Sequence, residues 1–78
     1  MKSFVLVQTE FQQENKVASQ LRNYNEVKNV SLVMGVYDIV AEVDTSTEKD
    51  LIRFISSARE KVDGIRNMYA LICKSILP

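Results

Sequence analysis

The chain has 78 residues, with ten Lys plus Arg against ten Asp plus Glu, no His, no Trp and a single Cys. A domain of that length buries only about 60% of its unfolded surface, and this composition excludes the disulfides and zinc sites by which small domains often compensate, leaving self-association. The charges are scattered without a basic stripe, and no apolar segment forms a signal peptide or approaches the roughly 20 residues of a membrane span, so a soluble cytoplasmic protein with no direct nucleic-acid or membrane partner is expected.

Taken along the chain, the hydrophobic period runs from strand-like to helix-like and back, twice. SFVLVQT, Ser3 to Thr9, is a β-branched and aromatic run that predicts a strand apolar on both faces. From about Gln12 the period lengthens, and Val17, Leu21 and Tyr24 at i, i+4 and i+7 predict an amphipathic helix. NEVKNVSLVM then predicts a second strand opening at Val27, with Val30, Leu32 and Met34 on one side of the pleat. After Gly35, the alternation of Ile39, Ala41 and Val43 against Val40, Glu42 and Asp44 predicts a third strand, joined to the second by a tight hairpin connection. Asp38 is placed one residue inside that strand.

The clearest helix follows. Thr45 with Glu48, or Thr47 with Asp50 as a weaker pair, offers the N-cap; Leu51, Ile52, Ile55, Ala58 and Val62 form the apolar stripe; Gly64 ends it. IRNMYALICKSI, residues 65–76, predicts the fourth strand, with Cys73 as a small buried apolar residue. The order βαββαβ makes an α+β, ferredoxin-like plait: a four-stranded antiparallel sheet with both helices on one face, forming a single domain over residues 1–78. Two helices cover one face only. The strands carry apolar residues on both, Phe4 and Leu6 against Val5 and Val7, then Met68, Ala70 and Ile72 against Tyr69, Leu71 and Cys73, so the uncovered face would be an apolar patch, which a second copy packed sheet to sheet about a two-fold axis would bury. Such an interface should exceed about 1,200 Å² in total.

Two residues interrupt the apolar run LVMGVYDIVAEV. Gly35 can take positive φ at a turn, and Asp38 is disfavoured in a strand unless a specific contact offsets it. One reading makes Asp38 an acceptor for its own loop's N–H groups. The other makes the loop a binding element, whose N–H groups hold a ligand carboxylate while Asp38 pairs with its ammonium. No ligand set for a metal is present, and no His or paired carboxylates accompany Tyr24, Tyr37 and Tyr69, so neither metal chemistry nor a catalytic residue is expected.

From VMGVYDIVAEVDT through LIRFISSAREKVDGIRNMYALI, the chain resembles the effector-binding (RAM) domain of the leucine-responsive regulatory (Lrp/AsnC) family of transcription regulators. The G-x-x-D of that domain corresponds to Gly35-Val36-Tyr37-Asp38, and its G-V before the last strand to Gly64-Ile65. The resemblance implies a non-enzymatic module without cofactor that forms sheet-to-sheet dimers and rings of four or five dimers (octamer or decamer). It also implies that a small effector, typically an amino acid, binds between dimers near the G-x-x-D loop. Met34, Gly35, Val36, Tyr37 and Asp38 would then contact the ligand. Met68 and Ala70, standing where the family often shows T-x-T, would shape an unusually apolar pocket. The regulators carry an N-terminal helix-turn-helix and this chain starts at the first strand, so the resemblance is to the stand-alone form, with full-length regulators as possible co-assembly partners. A ligand-free oligomeric scaffold and a small dimeric plait-fold enzyme are the competing classes.

Overall fold

The computed structural model describes residues 1–75 and 77; the predicted continuation of the fourth strand to Ile76 lies outside the described residues. The elements are β1 (Lys2–Thr9), α1 (Glu14–Leu21), β2 (Val27–Leu32), β3 (Ile39–Asp44), α2 (Glu48–Lys61) and β4 (Ile65–Ile72). The sheet order is β2-β3-β1-β4, antiparallel throughout, as the plait requires. β1 is central, and its alternation explains why. Ser3, Val5, Val7 and Thr9 are all buried, whereas Phe4, Leu6 and Gln8 are half-buried on the opposite face.

Register carries this division across the sheet. Val5 pairs with Ala41 on β3 and Ala70 on β4; Leu6 pairs with Val40 and Tyr69. The covered face therefore holds Val5, Val7, Ile39, Ala41, Val43 and Met68, closed by Val17, Ala18 and Leu21 of α1 and by Leu51, Phe54 and Ala58 of α2. The open face holds Phe4, Leu6, Val40, Tyr69 and Leu71, the last two about half exposed.

Several boundaries differ from the expectations. α1 starts at Glu14 rather than Gln12 because Gln12 takes φ 61°, a left-handed conformation that no helix continues. It ends at Leu21, so Tyr24 lies in the following turn. There its ring meets Phe54 edge-on at 5.2 Å and its hydroxyl lies 3.3 Å from Ser57 Oγ. A bulge between Val27 and Asn29 puts Val27 and Val30 on the same, covered face despite their odd spacing. Leu32 shares that face but is beyond the reach of the helices, about half exposed.

In α2 the weaker cap prevails. Thr47 accepts from the Asp50 N–H, while the Thr45 hydroxyl donates to the Thr47 carbonyl. The buried stripe is Leu51, Phe54, Ala58 and Val62; Ile52, counted in it from sequence, is exposed. Gly64 has φ 99°, and a Cβ there would sit 3.0 Å from Gln13 Cβ and 3.1 Å from Val17 Cγ2, so the glycine lets the β4 entry pack directly on the start of α1. Cys73 lies just past β4 and is half-buried rather than buried.

Ser3 departs from the apolar rule of the core. Its side chain is fully buried and its hydroxyl has no hydrogen-bond partner among the described residues. An unpaired buried hydroxyl costs about 1–3 kcal/mol, whereas a methyl in its place costs nothing to desolvate. Ser3→Ala is therefore expected to raise the melting temperature by several degrees, a gain of about 1 kcal/mol on thermal denaturation followed by circular dichroism.

Candidate functional site

The β2–β3 connection is six residues, 33–38, rather than the tight turn expected. The Val33 N–H donates to the Asp38 carbonyl at 2.9 Å, which closes the hairpin, and Gly35 takes φ 136° at the tip with open space around it. Glycine is needed there for its backbone angle and not for room. Asp38 stands just before β3, not inside it, and docks the hairpin onto β1. Its N–H donates to the Val7 carbonyl at 2.9 Å, and its Oδ2 accepts from the Thr9 N–H at 2.8 Å and from Thr9 Oγ1 at 3.1 Å.

The physical reason is visible in the ladder. Backbone pairing of β1 with β3 stops at Val7 and Ile39, and the β1–β4 register shifts between Gln8 and Thr9. Asp38 replaces the missing backbone acceptor with a carboxylate, carrying the ladder one step further while the hairpin tip peels away. Gln8 braces the tip, donating from Nε2 to the Val36 carbonyl at 2.9 Å and accepting at Oε1 from Asn67 Nδ2 at 2.9 Å. β4, β1 and the hairpin are thereby tied by side chains at one end of the sheet.

Beside this junction lies an open groove of about 380 Å³, between the hairpin tip and the turn that leads into α1. One wall is Gln8, Thr9, Val36 and Asp38; the other is Glu10, Phe11, Gln12, Glu14 and Arg66. The α1 turn is pinned in two places: the Gln13 N–H donates to the Glu10 carbonyl, and the Glu10 N–H donates to the Gly64 carbonyl at 2.7 Å. Phe11 at its tip is 86% exposed, and across the groove Val36 is 74% exposed. Three carboxylates face one guanidinium. Among the described residues Arg66, Glu10 and Glu14 form no ion pair.

Of the residues singled out from sequence, the groove brings together Val36 and Asp38. Met34 and Gly35 stand at the exposed hairpin tip, Met34 fully exposed. Tyr37 turns to the open sheet face, where its ring meets Tyr69 edge-on at 5.8 Å. Met68 is buried on the covered face, its carbonyl accepting from Arg59, and Ala70 lies exposed two residues further along the same face; neither lines the groove. The opposite wall was missed from sequence. Its one local signal is Phe11, an aromatic residue isolated in the polar stretch TEFQQEN. Among the described residues no cluster of metal-ligating side chains occurs, and no helix is long and apolar enough to cross a membrane.

The chain matches the family model described as the Lrp/AsnC ligand binding domain over residues 2–77. It is 30% identical over 74 residues to an uncharacterized HTH-type transcriptional regulator of Pyrococcus horikoshii, a match covering 95% of this chain and 47% of that protein. The chain thus spans about half the length of the curated relatives it matches. Among solved structures, a hypothetical protein from Pyrococcus horikoshii superposes with a TM-score of 0.83 at 34% identity, over 99% of this chain and 90% of that one. The L-Met complex of a transcriptional regulator from Neisseria meningitidis has the same fold, with a TM-score of 0.82 at 15% identity, over 99% of this chain and 52% of that one.

Proposed function

The chain belongs to the Lrp/AsnC ligand-binding domain family, and from that premise we propose that it is a non-enzymatic regulatory module that binds an amino acid or related metabolite. The site is the hairpin-tip groove, completed where two sheet-face dimers meet, and the module acts by assembling with itself or with full-length regulators of the family.

The observation that carries this reading is the placement of the G-x-x-D segment. Val36 and Asp38 line an open groove of ligand size that also presents Phe11 to solvent, while Met34 is fully exposed at the hairpin tip. Exposed apolar residues around a polar groove are a surface that a neighbouring subunit can close. That a transcriptional regulator of this fold is known in complex with L-Met agrees with an amino acid as the effector class. A thermal-shift screen of the 78-residue chain against the twenty amino acids tests the proposal. At least one is expected to raise the melting temperature in a concentration-dependent way, as ligands of the native state must; no shift from any of them would remove the sensing role and leave an oligomeric scaffold.

Direct DNA binding is not expected of these residues. The net formal charge is zero, and the two helices of the described fold are separated by a β-hairpin rather than a turn. Without a helix positioned for the major groove or a basic stripe, binding should be neither sequence-specific nor steeply salt-dependent. A gel-shift assay at physiological salt should give no discrete complex.

A further inference from the structure

We infer that the hairpin wall of the groove is set by a second copy of the chain: sheet-face association reaches Val36 through Gln8, Asn67 and the pair Tyr37 and Tyr69, so the wall is fixed in the dimer and slack in the monomer. This rests on the sheet-face dimer of the reading above. The hairpin has two anchors, and they differ in kind. At its base, Asp38 is tied to β1 by its N–H on the Val7 carbonyl and by its carboxylate on Thr9, the latter contacts part-buried. At its tip, none of the N–H groups of residues 34–37 donates to a backbone carbonyl among the described residues. Side chains hold the tip instead. Gln8 Nε2 donates to the Val36 carbonyl at 2.9 Å, and the Tyr37 ring meets Tyr69 edge-on at 5.8 Å.

All of these holding side chains belong to the open sheet face. Gln8 pairs with Asn67 as Leu6 pairs with Tyr69, and strand alternation puts both pairs opposite the helices. Asn67 Nδ2 donates to Gln8 Oε1 at 2.9 Å, which orients the amide with its donor towards Val36. Both bonds are exposed and Tyr69 is about half exposed, so in the isolated chain water competes for these contacts. A second copy is the occupant that fits the face. The domain measures 36 × 26 × 18 Å, the shortest dimension being its helix and sheet layers, so the sheet face is on the order of 900 Å², against about 800 Å² per partner in a standard interface. Phe4, Leu6, Tyr69 and Leu71 give that interface an apolar centre, and Gln8 and Asn67 give it a polar rim on the hairpin side. Seating the second copy takes water away from the tyrosine pair and the two amides and strengthens them. By linkage, whatever fixes Val36 in the groove tightens the dimer by the same factor.

Backbone amide relaxation measured by NMR tests the inference, with light scattering reading the mass and circular dichroism the fold. In the parent dimer the order parameters of Val36 and Tyr37 are expected near the value of a rigid backbone, about 0.85, and in the monomer below about 0.6. Leu71→Lys supplies the monomer, because Leu71 is exposed opposite Phe4, towards the end of β4 away from the hairpin. Leu6→Lys is the second route to it. Gln8→Ala combined with Tyr37→Ser should give a dimer whose Val36 is as loose as in the monomer. A folded monomer with a tip as ordered as the dimer's would overturn the coupling and leave the sheet-face dimer standing. A double variant that dimerises with an ordered tip would overturn the roles of Gln8 and Tyr37. A parent chain that is monomeric at the concentration of the measurement would overturn the dimer reading, and this inference with it.

Discussion

Leu6→Lys is expected to leave a folded monomer at micromolar concentration, where the sheet-to-sheet dimer proposed above would otherwise form. Leu6 stands in the middle of the open sheet face, opposite Val40 on β3 and Tyr69 on β4, with Phe4 and Leu71 as the next pair along. The half-buried state of Phe4, Leu6 and Val40 and the exposure of Tyr69 and Leu71 leave an apolar surface that helices cannot reach, because α1 and α2 both pack on the other face. A two-fold axis through this face brings every residue to it twice. Burying one leucine stabilises by about 1.5–3 kcal/mol, so the substitution removes about 3–6 kcal/mol per dimer before the cost of burying two ammonium groups is added. The dimer dissociation constant should rise at least about 100-fold. Fold and association separate cleanly here, since Leu6 is outside the buried core and a lysine stem can lie along the sheet with its charge in water. Light scattering on a size-exclusion column reads the mass, and circular dichroism reads the fold; an unchanged dimer would mean that association uses another surface.

That the open face could be anticipated at all reflects how strands encode burial. A period of two assigns every residue of Ser3 to Thr9 and Ile39 to Asp44 to one side or the other, and register then propagates the assignment across the sheet. Helices encode it less tightly. Ile52 adjoins Leu51 and is as apolar as any core residue, yet it faces solvent, because the stripe that docks is set by the spacing Leu51, Phe54, Ala58, Val62. Likewise Val17, Leu21 and Tyr24 share a helical spacing that outlasts the helix itself; Tyr24 reaches the core from a turn.

The lining of the candidate groove was half legible for a related reason. Gly35 and Asp38 break a hydrophobic pattern, and a broken pattern can be seen in one dimension. Glu10, Glu14 and Arg66 break nothing: they are charged residues in polar contexts, brought to the hairpin only because β1 is central in the sheet and Gly64 packs on α1. Met68 and Ala70 were placed by motif position, and the alternation that buries Met68 on the covered face points it away from the groove.

Asp38→Ala separates the two roles that a lone aspartate at a strand mouth can play. If the carboxylate only met a ligand, the variant would keep its melting temperature and lose affinity by about 1.5–3 kcal/mol, the value of a charge-assisted contact. The geometry puts the carboxylate on Thr9 instead, accepting from both its N–H and its hydroxyl, with the hairpin closed through the Asp38 carbonyl. Removing it leaves the part-buried Thr9 N–H without an acceptor at the point where β1 and β3 part. The expected result is a loss of about 1.5–3 kcal/mol of stability, which for a domain of this size lowers the melting temperature by about 6 to 20 °C. Asp38→Asn keeps an oxygen at the same reach while removing the charge, so it should recover most of the stability. The pair of variants then reads the ligand role on a sound fold: an Asn variant that is stable yet weak in binding assigns the charge to the ligand, and one that binds as the parent does assigns Asp38 to the hairpin alone. A parent-like melting temperature for Asp38→Ala would show that the Thr9 contacts do not hold the hairpin in solution.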